Sequence, residues 1–261
     1  MKKEVAERPE LMLEVTGLTV KFAQRQGGKE YKAVNDVNFR LYSGETLGIV
    51  GESGSGKSTV ARAVTRLIDV SSGRILFHGR DITRAKGKEL RRIYQKIQMV
   101  FQSPSGSFDP GRTLGDGIGE SLRNSGISRK EAEEQVRVLL EQCGLPGEYA
   151  GRYPHEVSGG QCQRAAVARA LAIRPELLIC DEATSALDVT VQKQIMELLK
   201  KMQDQYRISV LFICHDLALV QSFCDRVLVM HNGRIVEEGT PDEIICAPAD
   251  PYTKQLIEAA L

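Results

Sequence analysis

Four stretches of this 261-residue chain carry side chains that could act on a phosphate. The first is "GESGSGKS", Gly51 to Ser58, which fits G-x-x-x-x-G-K-[ST] and lies between the apolar run "ETLGIVG" and a segment of helical periodicity. Its small residues, Gly51, Ser53, Gly54, Ser55 and Gly56, let backbone N–H groups close around phosphate oxygens. The helix that follows adds the partial positive charge of its N-terminus, Lys57 a full charge, and Ser58, beside Thr59, a hydroxyl suited to Mg2+. Chance would produce such a match in a chain this long about once in a hundred, and the strand-loop-helix setting argues further against an ordinary glycine turn. The second stretch, "ELLICDEATSALD", ends an apolar strand in Asp181 and Glu182. Alone, such a pair more often marks a solvated loop. Beside a phosphate loop, one carboxylate can hold the Mg2+ shell and the next can polarise a water in line with the terminal phosphate. The third strand, "ISVLFIC", ends in His215 and Asp216; His215 is read as fixing the γ-phosphate and water rather than as taking a proton. Gln102, after "IQMVF", is either a loop amide or a neutral ligand for Mg2+ or water.

A second glycine pair raises a question. In "VSGGQCQRAAVARAL", Ser158, Gly159, Gly160 and Gln161 precede a helix, so they too offer a hydroxyl and exposed N–H groups to an anion, and only small residues permit close approach. The plainer reading is an N-cap by Ser158.

The elements that must position these residues alternate in the last third of the chain: a helix from about 160 to 173, strand "ELLIC", helix "VQKQIMELLKKMQDQY", strand "ISVLFIC", helix "LALVQSFC", strand "RVLVM". Such βαβ alternation calls for a parallel sheet covered on both faces. Upstream, "LMLEVTGLTVKF" and "AVNDVNFRLY" read as strands able to pair antiparallel, and Asn232–Gly233 signals a two-residue hairpin. Val60, Val64, Leu67 and Ile68 fall on one face of the helix after the phosphate loop. "GRILFHG" and "IQMVFQ" read as strands, with "GKELRRIYQ" helical between them. "SRKEAEEQVRVLLEQCG" is helical, with Ser128 and Glu131 spaced as a capping box.

With 35 Lys+Arg against 34 Asp+Glu, the net charge of +1 excludes a global basic field for non-specific nucleic-acid binding. No apolar run approaches the roughly 20 residues of a membrane span, and "MKKEVAERPELML" lacks a signal-peptide core, so a soluble, intracellular chain is expected. The six cysteines form no C-x-x-C pair and read as reduced packing thiols. His78, His155, His215 and His231 form no evident nickel site.

Taken in order, "GESGSGKS", Gln102, "VSGGQ", "LLICDE", "SALD" and His215 resemble the phosphate loop, Q-loop, signature, magnesium strand, D-loop and switch histidine of the ATP-binding cassette ATPases. The resemblance spans nearly the whole chain. It implies an α/β fold: a P-loop NTPase core with a mostly parallel sheet, an N-terminal antiparallel β-subdomain and a helical signature subdomain inserted at about 103–172, all in one nucleotide-binding domain, 1–261. It implies ATP and Mg2+ as cofactors, with Ser58, Gln102 and Asp181 toward the metal and Glu182, Gln102 and His215 as catalytic residues. It also implies head-to-tail association, so that Ser158–Gln161 would serve the partner's ATP. An aromatic residue stacks on adenine in the family; Phe22 matches that place best, and Tyr31 is the alternative.

"VGESGSGKST", "QMVFQSPSGSFDPGRT", "CDEATSALDVTVQKQI", "GRIVEEGTPDEI" and "DPYTKQLIEAAL" further resemble the ATPase subunits of bacterial oligopeptide, dipeptide and nickel importers. This implies a sister ATPase in a heterodimer, two transmembrane permease subunits, an extracytoplasmic solute-binding protein, and a peripheral position on the cytoplasmic face of the inner membrane. "FICHDLALVQSFCDRVLVMHNGRIVE" and the short tail look somewhat closer to the nickel branch. Ser103, Phe108, Asp109 and Gly111 depart from the usual pattern in the loop that faces the membrane subunits. A soluble cassette ATPase acting on nucleic acid or ribosomes is the alternative, for which no basic arm, long coiled-coil insertion or tandem cassette is visible. A regulatory module without turnover is a third.

Overall fold

The computed structural model describes residues 10–23, 30–103, 105–183 and 189–259. Two long strands, β1 (Leu11–Ala23) and β2 (Glu30–Tyr42), precede the short β3 (Thr46–Val50), helix α1 (Lys57–Val64), strands β4 (Ser72–Phe77) and β5 (Arg80–Asp81), helix α2 (Gly87–Lys96) and β6 (Ile97–Val100). Helices α3 (Leu114–Asn124), α4 (Arg129–Gln142) and α5 (Gly159–Leu171) separate β6 from β7 (Leu177–Asp181). Then come α6 (Val189–Tyr206), β8 (Ser209–Ile213), α7 (Leu217–Phe223), β9 (Arg226–His231), β10 (Arg234–Gly239), α8 (Pro241–Cys246) and α9 (Pro251–Glu258).

The strands form two sheets. One is antiparallel in the order β2-β1-β4-β5; the other runs β10-β9-β3-β8-β7-β6, parallel except for β10. Every residue of β3, β7 and β8 is buried, which a strand covered on both faces requires. Its side chains alternate between two cores. Leu178, Cys180, Val210 and Phe212 face the helices α3 to α7, whereas Leu177, Ile179, Leu211 and Ile213 face α1, α2 and the antiparallel sheet. The β9–β10 hairpin turns on Asn232 (φ 47°) and Gly233 (φ 77°), both left-handed, as a two-residue turn of this kind needs.

Local chemistry departs from the sequence reading in four places. Helix α1 stops at Val64: the Thr65 hydroxyl donates back to the Ala61 carbonyl (3.0 Å), Arg66 turns left-handed (φ 58°), and Leu67 is left half exposed rather than sharing the Val60–Val64 face. The strand read as "IQMVFQ" ends at Val100, placing Gln102 in the loop beyond it. Ser128 caps α4 through the Glu131 N–H (3.3 Å), but the Glu131 carboxylate accepts from Gln135 on the next turn instead of closing the box. Helix α3 has no counterpart in the sequence reading. Thr113 caps it through the Asp116 N–H (3.1 Å), and Leu114, Ile118 and Leu122 bury one stripe, yet Gly115, Gly117 and Gly119 lower its helical propensity. Close packing explains the first two glycines: a methyl at Gly115 would lie 2.6 Å from the Ala150 carbonyl oxygen, and one at Gly117 2.8 Å from the Phe108 ring. Phe108, one of the departures from the family pattern, is thus a buried packing residue, with Arg169 above its ring.

All six cysteines are free, five of them buried and Cys246 exposed. Burial pushes the Cys143 and Cys180 thiols up to about 12, which suits packing and not reactivity. Among the described residues no helix is long and apolar enough to cross a membrane.

Candidate nucleotide site

Parallel pairing puts β3, β8, β7 and β6 side by side, so whatever follows their carboxyl ends shares one edge of the sheet. Beyond β3 lies the Gly51–Ser58 loop, beyond β8 His215, at the end of β7 Asp181 and Glu182, and beyond β6 Gln102. Two contacts join them across the sheet: the Ser58 hydroxyl donates to the Asp181 carboxylate (2.7 Å), and the Gln102 amide to that of Glu182 (2.6 Å).

The loop folds back on its own lysine. Lys57, 4% exposed, donates to the Gly51 and Glu52 carbonyls (2.7 Å each) and reaches the Ser55 hydroxyl (3.4 Å). Burial pulls its ammonium below the usual lysine value, while nearby Glu182 and Asp181 oppose that shift. Burial pushes the Asp181 carboxyl up, and the Ser58 hydrogen bond opposes it. Gly56, left-handed at φ 107°, caps α1 without a side chain, so the first-turn N–H groups face the cleft. Glu182 is also left-handed (φ 47°), an uncommon state for a side chain of its size, and its N–H is held by the Ile213 carbonyl of β8 (3.0 Å).

Phe22 and Tyr31 face each other across β1 and β2 as Cα partners. Both are exposed and both line one cleft with Ala33, Ser53, Gly54, Gly56 to Thr59, Gln102 and Glu182. An aromatic floor at one end and cationic and acidic groups at the other suit a nucleoside phosphate.

The remaining expected residues lie apart from this cleft. His215 is exposed at the end of β8 and does not line it. Asp216 has a structural task, capping α7 through the Ala218 and Leu219 N–H groups (2.9 and 3.2 Å). Ser158 caps α5 in a full capping box with Gln161, whose amide also reaches the Tyr149 hydroxyl (3.1 Å). Ser158 and Gly159 are nonetheless exposed, and a methyl added at Gly159 would meet no heavy atom within 4 Å. Among the described residues, nothing requires glycine there. The D-loop stretch Ser185–Asp188 lies outside the described residues.

The chain resembles known proteins in sequence and in fold. The sequence profile of the family described as ABC transporter matches residues 34–185. The oligopeptide transport ATP-binding protein OppF of Salmonella typhimurium is 45% identical over 98% of this chain and 79% of its own length. The dipeptide transport ATP-binding protein DppF of Lactococcus lactis subsp. cremoris is 42% identical over 96% and 81%. Among solved structures, the dimeric ATP-binding cassette MJ0796 in a post-hydrolysis state with ADP and Pi superposes with a TM-score of 0.82 at 29% identity, covering 88% of this chain and 99% of that one.

Proposed function

Since the chain belongs to the ABC transporter family, we propose that it is the ATP-binding and ATP-hydrolysing subunit of a bacterial importer, powering peptide uptake through two permease subunits at the cytoplasmic face of the inner membrane. The observation that carries this reading is the joining of Ser58 to Asp181 and of Gln102 to Glu182 around a helix N-terminus whose cap, Gly56, has no side chain. Peptide is favoured over nickel as cargo because the relatives above are described as oligopeptide and dipeptide transport proteins. The ATPase itself would not touch the cargo, which a solute-binding protein would deliver to the permeases.

In this reading ATP lies with its base against Phe22 or Tyr31 and its phosphates on the N–H groups of Ser53 to Thr59. Lys57 exchanges its two carbonyl partners for phosphate oxygens. The Ser58 hydroxyl, the Asp181 carboxylate and the Gln102 amide oxygen make an all-oxygen donor set that fits Mg2+, which when bound would neutralise charge on the β- and γ-phosphates. Glu182, with its backbone held by β8 and its carboxylate by Gln102, polarises the attacking water; His215 orients the γ-phosphate once the dimer closes. Ser158 to Gln161 act in trans: an exposed helix start whose Gly159 is required by none of the described residues matches a site completed by a second, sister ATPase. That sister is a different chain in our reading, giving a head-to-tail heterodimer.

Replacing Glu182 by Gln in the assembled transporter is expected to preserve ATP binding, to trap the closed dimer and to slow hydrolysis by about a hundredfold or more. Turnover at the wild-type rate would remove the role assigned to Glu182. Deleting the subunit is expected to abolish uptake of labelled di- and oligopeptides and to spare labelled nickel. Loss of neither, or stable association of the chain with ribosomes or DNA, would overturn the importer reading.

A further inference from the structure

The phosphate loop is gripped from outside by the far end of the chain. Tyr252, the second residue of α9 and 9% exposed, accepts a hydrogen bond through its hydroxyl from the Glu52 N–H (3.0 Å). That N–H belongs to the same peptide unit as the Gly51 carbonyl, which accepts from the Lys57 ammonium at 2.7 Å. One amide of the loop is therefore held at both ends, by the lysine at its oxygen and by Tyr252 at its nitrogen.

The tyrosine is itself well placed. Its ring lies against His231, with centroids 3.8 Å apart. Its own N–H donates to the capping carboxylate of Asp250 (2.8 Å), and the Glu237 carboxylate of β10 accepts from the Ala249 and Asp250 N–H groups (2.8 and 3.0 Å). The β9–β10 hairpin that carries His231 also presses on the loop: a methyl at Gly51 would lie 2.2 Å from the Met230 carbonyl oxygen, and the Gly233 N–H donates to the Ser55 carbonyl (3.0 Å).

We propose that Tyr252 is a positioning residue for the nucleotide site, holding the Gly51–Glu52 peptide in the orientation that points its carbonyl at Lys57 and the following N–H groups into the cleft. This rests on the reading of the cleft as an ATP site. Without the hydroxyl, the Glu52 N–H loses its partner, and Lys57 alone holds the peptide, a hold that is given up when the lysine turns to phosphate. Only a fraction of molecules then presents a loop competent for phosphate, and apparent affinity falls by that fraction.

The test is Tyr252→Phe in the 261-residue chain, which keeps the ring on His231 and removes one oxygen. Affinity for a fluorescent ATP analogue is measured on the chain, and KM and kcat for ATP on the assembled transporter. Wild-type chain must bind the analogue; if it does not, the nucleotide reading itself fails. Given that binding, the expected result for Tyr252→Phe is about a fivefold rise in Kd and KM, with kcat lowered less than twofold and the thermal midpoint changed by less than about 2 °C. Tyr252→Leu, which also removes the ring, is expected to weaken binding further and to lower the thermal midpoint. Wild-type Kd and KM in Tyr252→Phe, or a fall in kcat with KM unchanged, would overturn the positioning role.

Discussion

Replacing Gly159 by Ala separates what α5 needs from what a partner needs. Gly159 is the first residue of that helix; its backbone is outside the left-handed region, and a methyl there meets none of the described residues within 4 Å. Within the chain alone the substitution should help, because alanine is favoured over glycine in helices by up to about 1 kcal/mol, less at the first position. For a chain of this size that is a rise in thermal midpoint of about 1–2 °C. If the same N–H groups meet a γ-phosphate held by the sister subunit, the methyl stands where the anion must approach. Losing one charge-assisted hydrogen bond costs about 1.5–3 kcal/mol, which corresponds to roughly 10- to 150-fold in turnover. The assay is ATP hydrolysis by the assembled transporter at saturating ATP, set beside the chain's own affinity for a nucleotide analogue and its thermal midpoint. The expected pattern is slow hydrolysis, unchanged affinity and equal or greater stability. Hydrolysis within twofold of wild type would refute the trans assignment, and so would loss of the chain's own nucleotide binding.

Two further outcomes follow from the same geometry. Gly56→Ala is expected to destabilise the chain by about 3 kcal/mol in urea unfolding, because Gly56 is left-handed at φ 107° and its new methyl would sit 2.4 Å from the Ala33 carbonyl oxygen. Glu176 sits where the two sheets meet, accepting from Lys96 and bonded to His78 (2.6 Å each). Burial, the largest single influence, would push its carboxyl up, but the hydrogen bonds from Lys96 and His78 together with their charges hold it below the usual value of 4.5. A depressed carboxylate stabilises the fold fully above its unfolded value and loses that contribution as pH falls below about 4.5 toward its folded value. Thermal midpoints of Glu176→Gln and wild type should therefore differ most at about pH 5–6, where the carboxylate is ionised, and converge as the medium is acidified through pH 4 to 3.

Much of this site could be read before any fold was known. "GESGSGKS", the acidic end of "LLICDE" and the polar residues after two other apolar runs are local patterns, because a phosphate loop and a covered parallel strand impose their residue types over short spans. Alternating apolar strands and helices implied the parallel sheet for the same reason. Helix α3 escaped notice because its glycines are chosen by Ala150 and Phe108, partners distant in sequence, and α1 ended early because Thr65 and Arg66 turned the chain. Phe22 and Tyr31 show the limit well: only the register of β1 against β2 sets them opposite each other at one cleft.

Residue types and spacing thus pointed to the groups proposed to handle phosphate and to the strands and helices that carry them. Tertiary structure decided which of those groups meet. Strand order brought Gln102 to Glu182 and Asp181 to Ser58, and the packing of α9 put Tyr252 on the phosphate loop, 200 positions away in the chain. Local sequence can specify a strand or a turn because the forces involved act between near neighbours. It cannot specify a contact whose two halves meet only after separate hydrophobic faces have been buried against one another.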